Sequence, residues 1–280
     1  DNGDDILSNT GAVVGDMDGG TGNDSLGNTR EVVGSMIGGD GNDTLINTSD
    51  VTGGGGVSGD NGDDFINNTG DRIVGNVTGG NGNDTLLNSG VINGVMMGGA
   101  GDDRLSNSNA TGEALFGEAG NDTLSGGLGF DTLDGGADID LLDETTSTAN
   151  LNVNLLTGVG TGEGTDTLSG IEYVFTGSGN DTVIGDGVDN LIMTNAGNDS
   201  VNAGGGNDTV TGGAGTDTLR GGDGNDLLDD AALNQEDDQL FGDNGNDTIN
   251  YDHGTLFNLL TLHGANADDT LHVPRRVVGF

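Results

Sequence analysis

Sixteen aspartates share one local setting, and that setting suggests one kind of chemistry. Asp5, Asp24, Asp43, Asp64, Asp84, Asp103, Asp122, Asp131, Asp140, Asp181, Asp199, Asp208, Asp217, Asp226, Asp238 and Asp247 each stand two residues before an aliphatic side chain. Most close a glycine-rich hexapeptide such as "GGNGND" at 79–84. Glycine tolerates positive φ and close backbone approach, so such a hexapeptide is a tight turn with exposed carbonyls. A carboxylate beside free carbonyl oxygens is an all-oxygen environment for a hard cation. Ca²⁺ takes about six to eight oxygen ligands in flexible geometry, whereas Mg²⁺ resists dehydration and demands a tighter octahedron. The candidate ligands therefore point to Ca²⁺.

The elements that must position these acids follow from their period. From Asp5 to Asp122 the spacings are 19, 19, 21, 20, 19 and 19 residues. From Gly117 the period halves, through "GEAGNDTLS", "GGLGFDTLD" and "GGADIDLLD". Residues 176–229 divide into six consecutive nonapeptides, from "TGSGNDTVI" to "GGDGNDLLD", and two more end at Asn250. In each nonapeptide six residues turn and three alternate out, in, out, a minimal strand with one inward aliphatic. Two such units make one coil, and stacked coils make two parallel sheets over a thin core. Stacking would set the acids in columns about 4.8 Å apart, where like charges repel unless a cation lies between them.

"GGDGNDLLD" and its neighbours resemble the Gly-Gly-x-Gly-x-Asp-x-U-x nonapeptide of the RTX (repeats-in-toxin) family. The resemblance implies an all-β, calcium-loaded, right-handed parallel β-roll or β-solenoid, in a protein exported by type I secretion to the cell surface or medium. The periods and their breaks give four segments: a solenoid at 1–143 with one calcium edge and one Asn/Thr edge, a non-repeat strand insert or linker at 144–175, a nonapeptide β-roll at 176–250, and a cap or new segment at 251–280. The motif departs from the family pattern at Asn190, Val188 and "LNQEDDQLF", which weakens those turns as ion sites. Counting the gaps between stacked turns gives roughly a dozen Ca²⁺.

In the first half only one turn per coil carries Asp. Asn9, Asn28, Asn47, Asn68, Asn88 and Asn107 stand four residues after the acids, each followed by Thr or Ser. That position faces inward, so the Asn column reads as an amide ladder, with the hydroxyl column bonding in the same way. One edge would bind ions and the other none.

Composition limits the remaining functions. The chain has 47 acidic and six basic residues, 59 glycines, 31% hydrophobic residues and no cysteine. By charge and hydropathy alone it would be disordered, so a neutralising cation is needed. Phosphate backbones would be repelled, which excludes nucleic acid. No apolar run is long enough to span a membrane, and without cysteine there are no disulfides or thiolate sites. The chain reads as a piece of a longer one, having no signal-peptide pattern. His253, His263 and His272 form no close constellation, and no Gly-x-Ser-x-Gly or P-loop is present. Paired aspartates could hydrolyse glycosides, but calcium ligation accounts for the same residues with fewer assumptions. The expectation is a non-enzymatic structural stalk, spacer, surface-layer or adhesin element that folds on calcium outside the cell. Beyond calcium, its partners would be the cell surface, other surface ligands or further copies of itself. The alternatives are an ice-binding or adhesive face, or the non-catalytic secretion module of an extracellular enzyme.

Overall fold

The computed structural model describes residues 2–230, 238–250 and 269–272, and the chain divides into two compact units. The first comprises 1–141 with 164–171, and the second 142–163 with 172–280. The stretch from 144 to 175, expected as a separate insert, is thus divided between them.

Each unit is a stack of parallel strands. In the first, one sheet runs Ile6–Asn9, Ser25–Asn28, Thr44–Asn47, Phe65–Asn68, Thr85–Asn88, Arg104–Asn107 and Thr123–Ser125, paired coil to coil with unshifted register. The second sheet begins at Met17–Thr21 and Met36–Asp40 and continues to Thr132–Ala137, which pairs with Thr165–Ser169. One aliphatic per strand is buried, as Leu26, Leu45, Ile66, Leu86 and Leu105 illustrate at 0–1% exposure. Burying each is worth roughly 1.5–3 kcal/mol.

The first unit also has a third strand column that the two-sheet expectation lacked. Val13–Val14 pairs with Val32–Val33, Val51 bridges Val32 to Ile73, and Arg72–Ile73 pairs with Val91–Ile92. Coils of 19–21 residues hold one to three residues more than two nonapeptides. With only one Asp turn per coil, the rest of each coil is free to form this column, and Val32, Val51, Ile73 and Ile92 turn inward.

The second unit stacks Tyr173–Phe175, Leu191–Met193, Thr209–Thr211, Leu227–Asp229, Thr248–Asn250 and Thr270–His272 in one sheet. The other runs Asn152–Asn154, Thr182–Ile184, Ser200–Gly205, Thr218–Asp223 and Gln239–Asn244. Asn152–Asn154 lies in the "NLNVNLL" run expected to be a strand, and it also pairs antiparallel with Val159–Thr161. Of 251–280, only 269–272 lies within the described residues, so the expected cap, with His253 and His263, falls outside them. His272 is exposed.

Turn geometry follows the glycines. In the turn before Asp84, Gly80 and Gly82 have φ of +126° and +123°, a region that L side chains avoid. Among the described residues, five that are not glycine also have positive φ: Asp60, Glu118, Asp138, Asn195 and Asp243. Each occupies the second or fourth place of a turn, where the repeat has glycine.

Candidate metal centres along the solenoid edges

Every aspartate singled out above occupies a sixth position in its turn, and the coils are linked through these side chains. The Asp5 amide donates to Asp24 Oδ1, Asp24 to Asp43, Asp43 to Asp64 and Asp64 to Asp84, each at 2.7 Å. The chain continues through Asp84 to Asp103 (2.7 Å), Asp103 to Asp122 (2.8 Å) and Asp122 to Asp140 (2.7 Å). In the second unit one edge links Asp181, Asp199, Asp217 and Asp238, and the other links Asn190, Asp208, Asp226 and Asp247.

One carboxylate oxygen is thereby used and the other is not. Oδ2 of Asp24, Asp43, Asp64, Asp84, Asp103, Asp122 and Asp131 is buried and receives no hydrogen bond. The same holds for Asp181, Asp208, Asp226 and Asp247. An uncompensated buried carboxylate is costly, and its usual response is to take up a proton. Burial pushes Asp64 and Asp103 up to about 7, and Asp84, Asp131, Asp199 and Asp226 up to about 6.

Carbonyl oxygens complete the surroundings. A Cβ at Gly79 would collide with Asp84 Oδ2, and one at Gly38 would meet both Asp43 Oδ2 and, at 2.8 Å, Gly59 O. Fourth-position carbonyls stack as well: a Cβ at Gly41 would strike Gly22 O, and one at Gly62 would strike Gly41 O. Among the described residues no three His, Asp or Glu side chains converge as a metal cluster. A cation at these turns would need backbone oxygens beside the one carboxylate each turn supplies. That donor set, hard oxygens with an unpartnered anionic oxygen at turns such as those of Asp43, Asp84 and Asp208, fits Ca²⁺.

Four further acids hold the same register and were missed in the sequence. Glu113 and Asp166 flank Asp131: the Glu113 amide donates to Asp131 Oδ1 and the Asp131 amide to Asp166 Oδ1. Glu172 lies beside Asn190, as the Tyr173–Leu191 pairing requires, and Asp269 Oδ1 accepts from the Asp247 amide. The signal was present, because Leu115, Leu168, Val174 and Leu271 follow them by two residues. Also missed was a second ladder at the fifth position, running the opposite way. The Asn42 amide donates to Asn23 Oδ1, Asp63 to Asn42 and Asn83 to Asp63.

Away from the acids, the first unit carries the amide ladder. Asn9 Nδ2 donates to Asn28 Oδ1, and the series continues through Asn47, Asn68 and Asn88 to Asn107 at 2.7–2.8 Å. Asn107 Nδ2 ends it on Glu113 Oε2. The hydroxyls of Thr29 and Thr48 donate to the carbonyls of Asn9 and Asn28 in the preceding coil.

A family model for the RTX calcium-binding nonapeptide repeat matches residues 35–47, 108–142, 166–201, 193–228 and 234–254. The chain carries RTX calcium-binding repeats. No curated protein matches it. The RTX matches take in Asp166, Glu172 and Asn190, so the stretch read as an insert already resumes the repeat. Much of the 19-residue coil region lies outside them, yet Asp64, Asp84 and Asp103 there repeat the hydrogen bonding of the matched turns. The repeat is a calcium-binding structural unit and not catalytic in itself.

Proposed function

We propose that this chain is the calcium-binding β-roll region of a larger secreted or cell-surface bacterial protein. It folds on meeting calcium outside the cell and serves as a rigid stalk, spacer or surface-layer or adhesin element. Its ligands are the sixth-position aspartates, with backbone carbonyls from the same turns, for roughly a dozen ions. The observation that carries this reading is the row of buried Oδ2 atoms without donors. When bound, calcium would supply the positive charge that those oxygens coordinate. The turns hold Oδ1 on the amide of the preceding coil, and Oδ2 lies where a Cβ at the first-position glycine would fall. Against an ice-binding face, the outward column at the third position reads Asn2, Thr21, Asp40, Asn61, Asn81, Ala100 and Ala119. Asn81 and Asn61 there spend their Nδ2 groups laterally, on Asn61 and Asp40. Equilibrium dialysis with circular dichroism tests the proposal. Strand signal should be lost in chelator and return with calcium, with about a dozen ions bound. Full strand signal in chelator, or no bound calcium, would refute it.

A further inference from the structure

Turn 185–190 of the second unit departs from the later turns of its edge in three ways. The first is the side chain at the sixth position, Asn190, which is 2% exposed. Where Asp208, Asp226 and Asp247 each leave Oδ2 without a donor, Asn190 has both ends of its amide engaged. Its Oδ1 accepts from the Asp186 amide and its Nδ2 donates to Glu172 O, both at 3.1 Å.

The second departure is in the backbone. The later turns of this edge place Gly204, Gly222 and Asp243 at their second position with φ of +107°, +113° and +66°. Their fourth positions, Gly206, Gly224 and Gly245, have φ of +121°, +143° and +147°. Asp186 and Val188 occupy those two places here, and neither has positive φ. The third departure closes the loop, because Asp186 Oδ1 accepts from the Val188 amide at 3.1 Å.

We propose that this turn is an ion-free clasp, in which the Asn190 amide takes the place a calcium ion has in the turns that follow. The proposal rests on the calcium reading above and deepens it by fixing where the ion row on this edge starts. An amide NH₂ is a donor with no lone pair for a metal. With its hydrogens on Glu172 O, it occupies that carbonyl and presents positive charge where a cation would need oxygen. The turn also lacks a carboxylate at the sixth position, so nothing there offsets the dehydration of a divalent ion. Stacking is kept all the same: the backbone N–H of Asn190 donates to Asp208 Oδ1 and that of Asn207 to Asp189 Oδ1. The coil through Leu191–Met193 is therefore joined to the row without contributing an ion ligand from this turn. The ion row begins with Asp208.

Native mass spectrometry of the full chain in calcium counts the ions directly. Asn190→Ala should keep the wild-type number, whereas Asp208→Ala should lower it. The double variant Val188→Gly with Asn190→Asp restores the repeat's own residues and should bind at least one ion more than wild type. This gain does not depend on Asn190→Ala remaining folded. A lower count in folded Asn190→Ala would overturn the clasp, as would an unchanged count in the folded double variant. A wild-type chain that binds no calcium would instead remove the calcium reading itself.

Discussion

Replacing Asn88 by Ala tests the claim that the two edges of the first unit are held by different means. Asn88 is 3% exposed and its side chain takes part in four hydrogen bonds. It accepts from Asn68 Nδ2 at 2.7 Å and the Gly90 amide at 3.2 Å, and donates to Asn107 Oδ1 at 2.8 Å and Gly90 O at 2.9 Å. The two acceptors keep a donor after truncation, since Asn109 Nδ2 reaches Asn107 Oδ1 at 3.0 Å and Gly90 O at 2.6 Å. The two donors, Asn68 Nδ2 and the Gly90 amide, lose the partner they have. A buried group left unsatisfied costs about 1–3 kcal/mol, so two give about 2–6 kcal/mol before relaxation. We expect a loss near the middle, about 3–4 kcal/mol.

Urea unfolding in excess calcium measures that loss, with hydrogen exchange over Thr85–Asn88 to show that it is local, because stacked coils need not unfold as one. Ser89→Ala is the control: its hydroxyl reaches Asn68 O only at 3.5 Å, so the change should stay within about 0.5 kcal/mol. Calcium stoichiometry should be unaltered in both. A loss under about 1 kcal/mol for Asn88→Ala, or any fall in bound calcium, would refute the separation of an amide edge from an ion edge.

Asp84→Asn should lower the calcium count of the folded chain, and an unchanged count by dialysis would remove Asp84 from the ligand set. Gly79→Ala should weaken calcium binding because its Cβ collides with Asp84 Oδ2, whereas Gly27→Ala, with nothing within 4 Å of the new carbon, should be neutral in the same titration. In chelator, acidification should favour the fold. Burial raises the folded carboxyls of Asp64 and Asp103 to about 7 and that of Asp84 to about 6, so the folded form binds protons more tightly than the coil. The stability this supplies is full below the ordinary carboxyl range of about 4 and is lost as pH rises through about 6–7. Circular dichroism in chelator from pH 8 to 4 should show strand signal rising; a flat or falling signal would count against buried, unpartnered carboxylates.

The repeat was legible because each nonapeptide states its own geometry: turn glycines, one acid and one aliphatic at fixed offsets. The inward amide column was legible too, since Asn recurs four residues after Asp in every early coil. The third strand column was not. Val13–Val14, Val32–Val33 and Val91–Ile92 are two-residue strands, too short for a period of two to register, and only stacking reveals them. Glu113 and Glu172 escaped because the pattern was read as aspartate alone. Asp166 escaped although "TGEGTD" at 161–166 sets Gly162 and Gly164 ahead of the acid, because the stretch was taken for an insert and the offset of Asp and Leu was not followed into it. The fifth-position ladder was missed for a different reason. Asn and Asp are ordinary turn residues, and nothing in one copy says that the side chain reaches the next coil.

The magnitudes explain why such a chain would need an ion to fold. A coil of the first unit buries about three aliphatic side chains, each worth roughly 1.5–3 kcal/mol. Against this, ordering the backbone costs about 1–2 kcal/mol per residue. An unpaired buried charge adds several kcal/mol more. The ladders satisfy nearly everything else: Asn amides bond to one another, fifth-position side chains take amides of the next coil, and Oδ1 of each acid takes another. Oδ2 is left over at Asp24, Asp43, Asp64, Asp84, Asp103 and Asp122 in succession, so along that edge its penalty grows with length as fast as the thin core does. Adding coils cannot outrun it. A ligand bound by the folded form alone stabilises by RT ln(1 + [L]/Kd), about 1.4 kcal/mol per site at tenfold excess over Kd, and this term also grows with the number of turns. On the proposed function, the sign of folding would be set by calcium concentration rather than by core size. Asn190 would be the informative exception, because there the side-chain amide bonds to the Asp186 amide and Glu172 O and the turn would close without a cation.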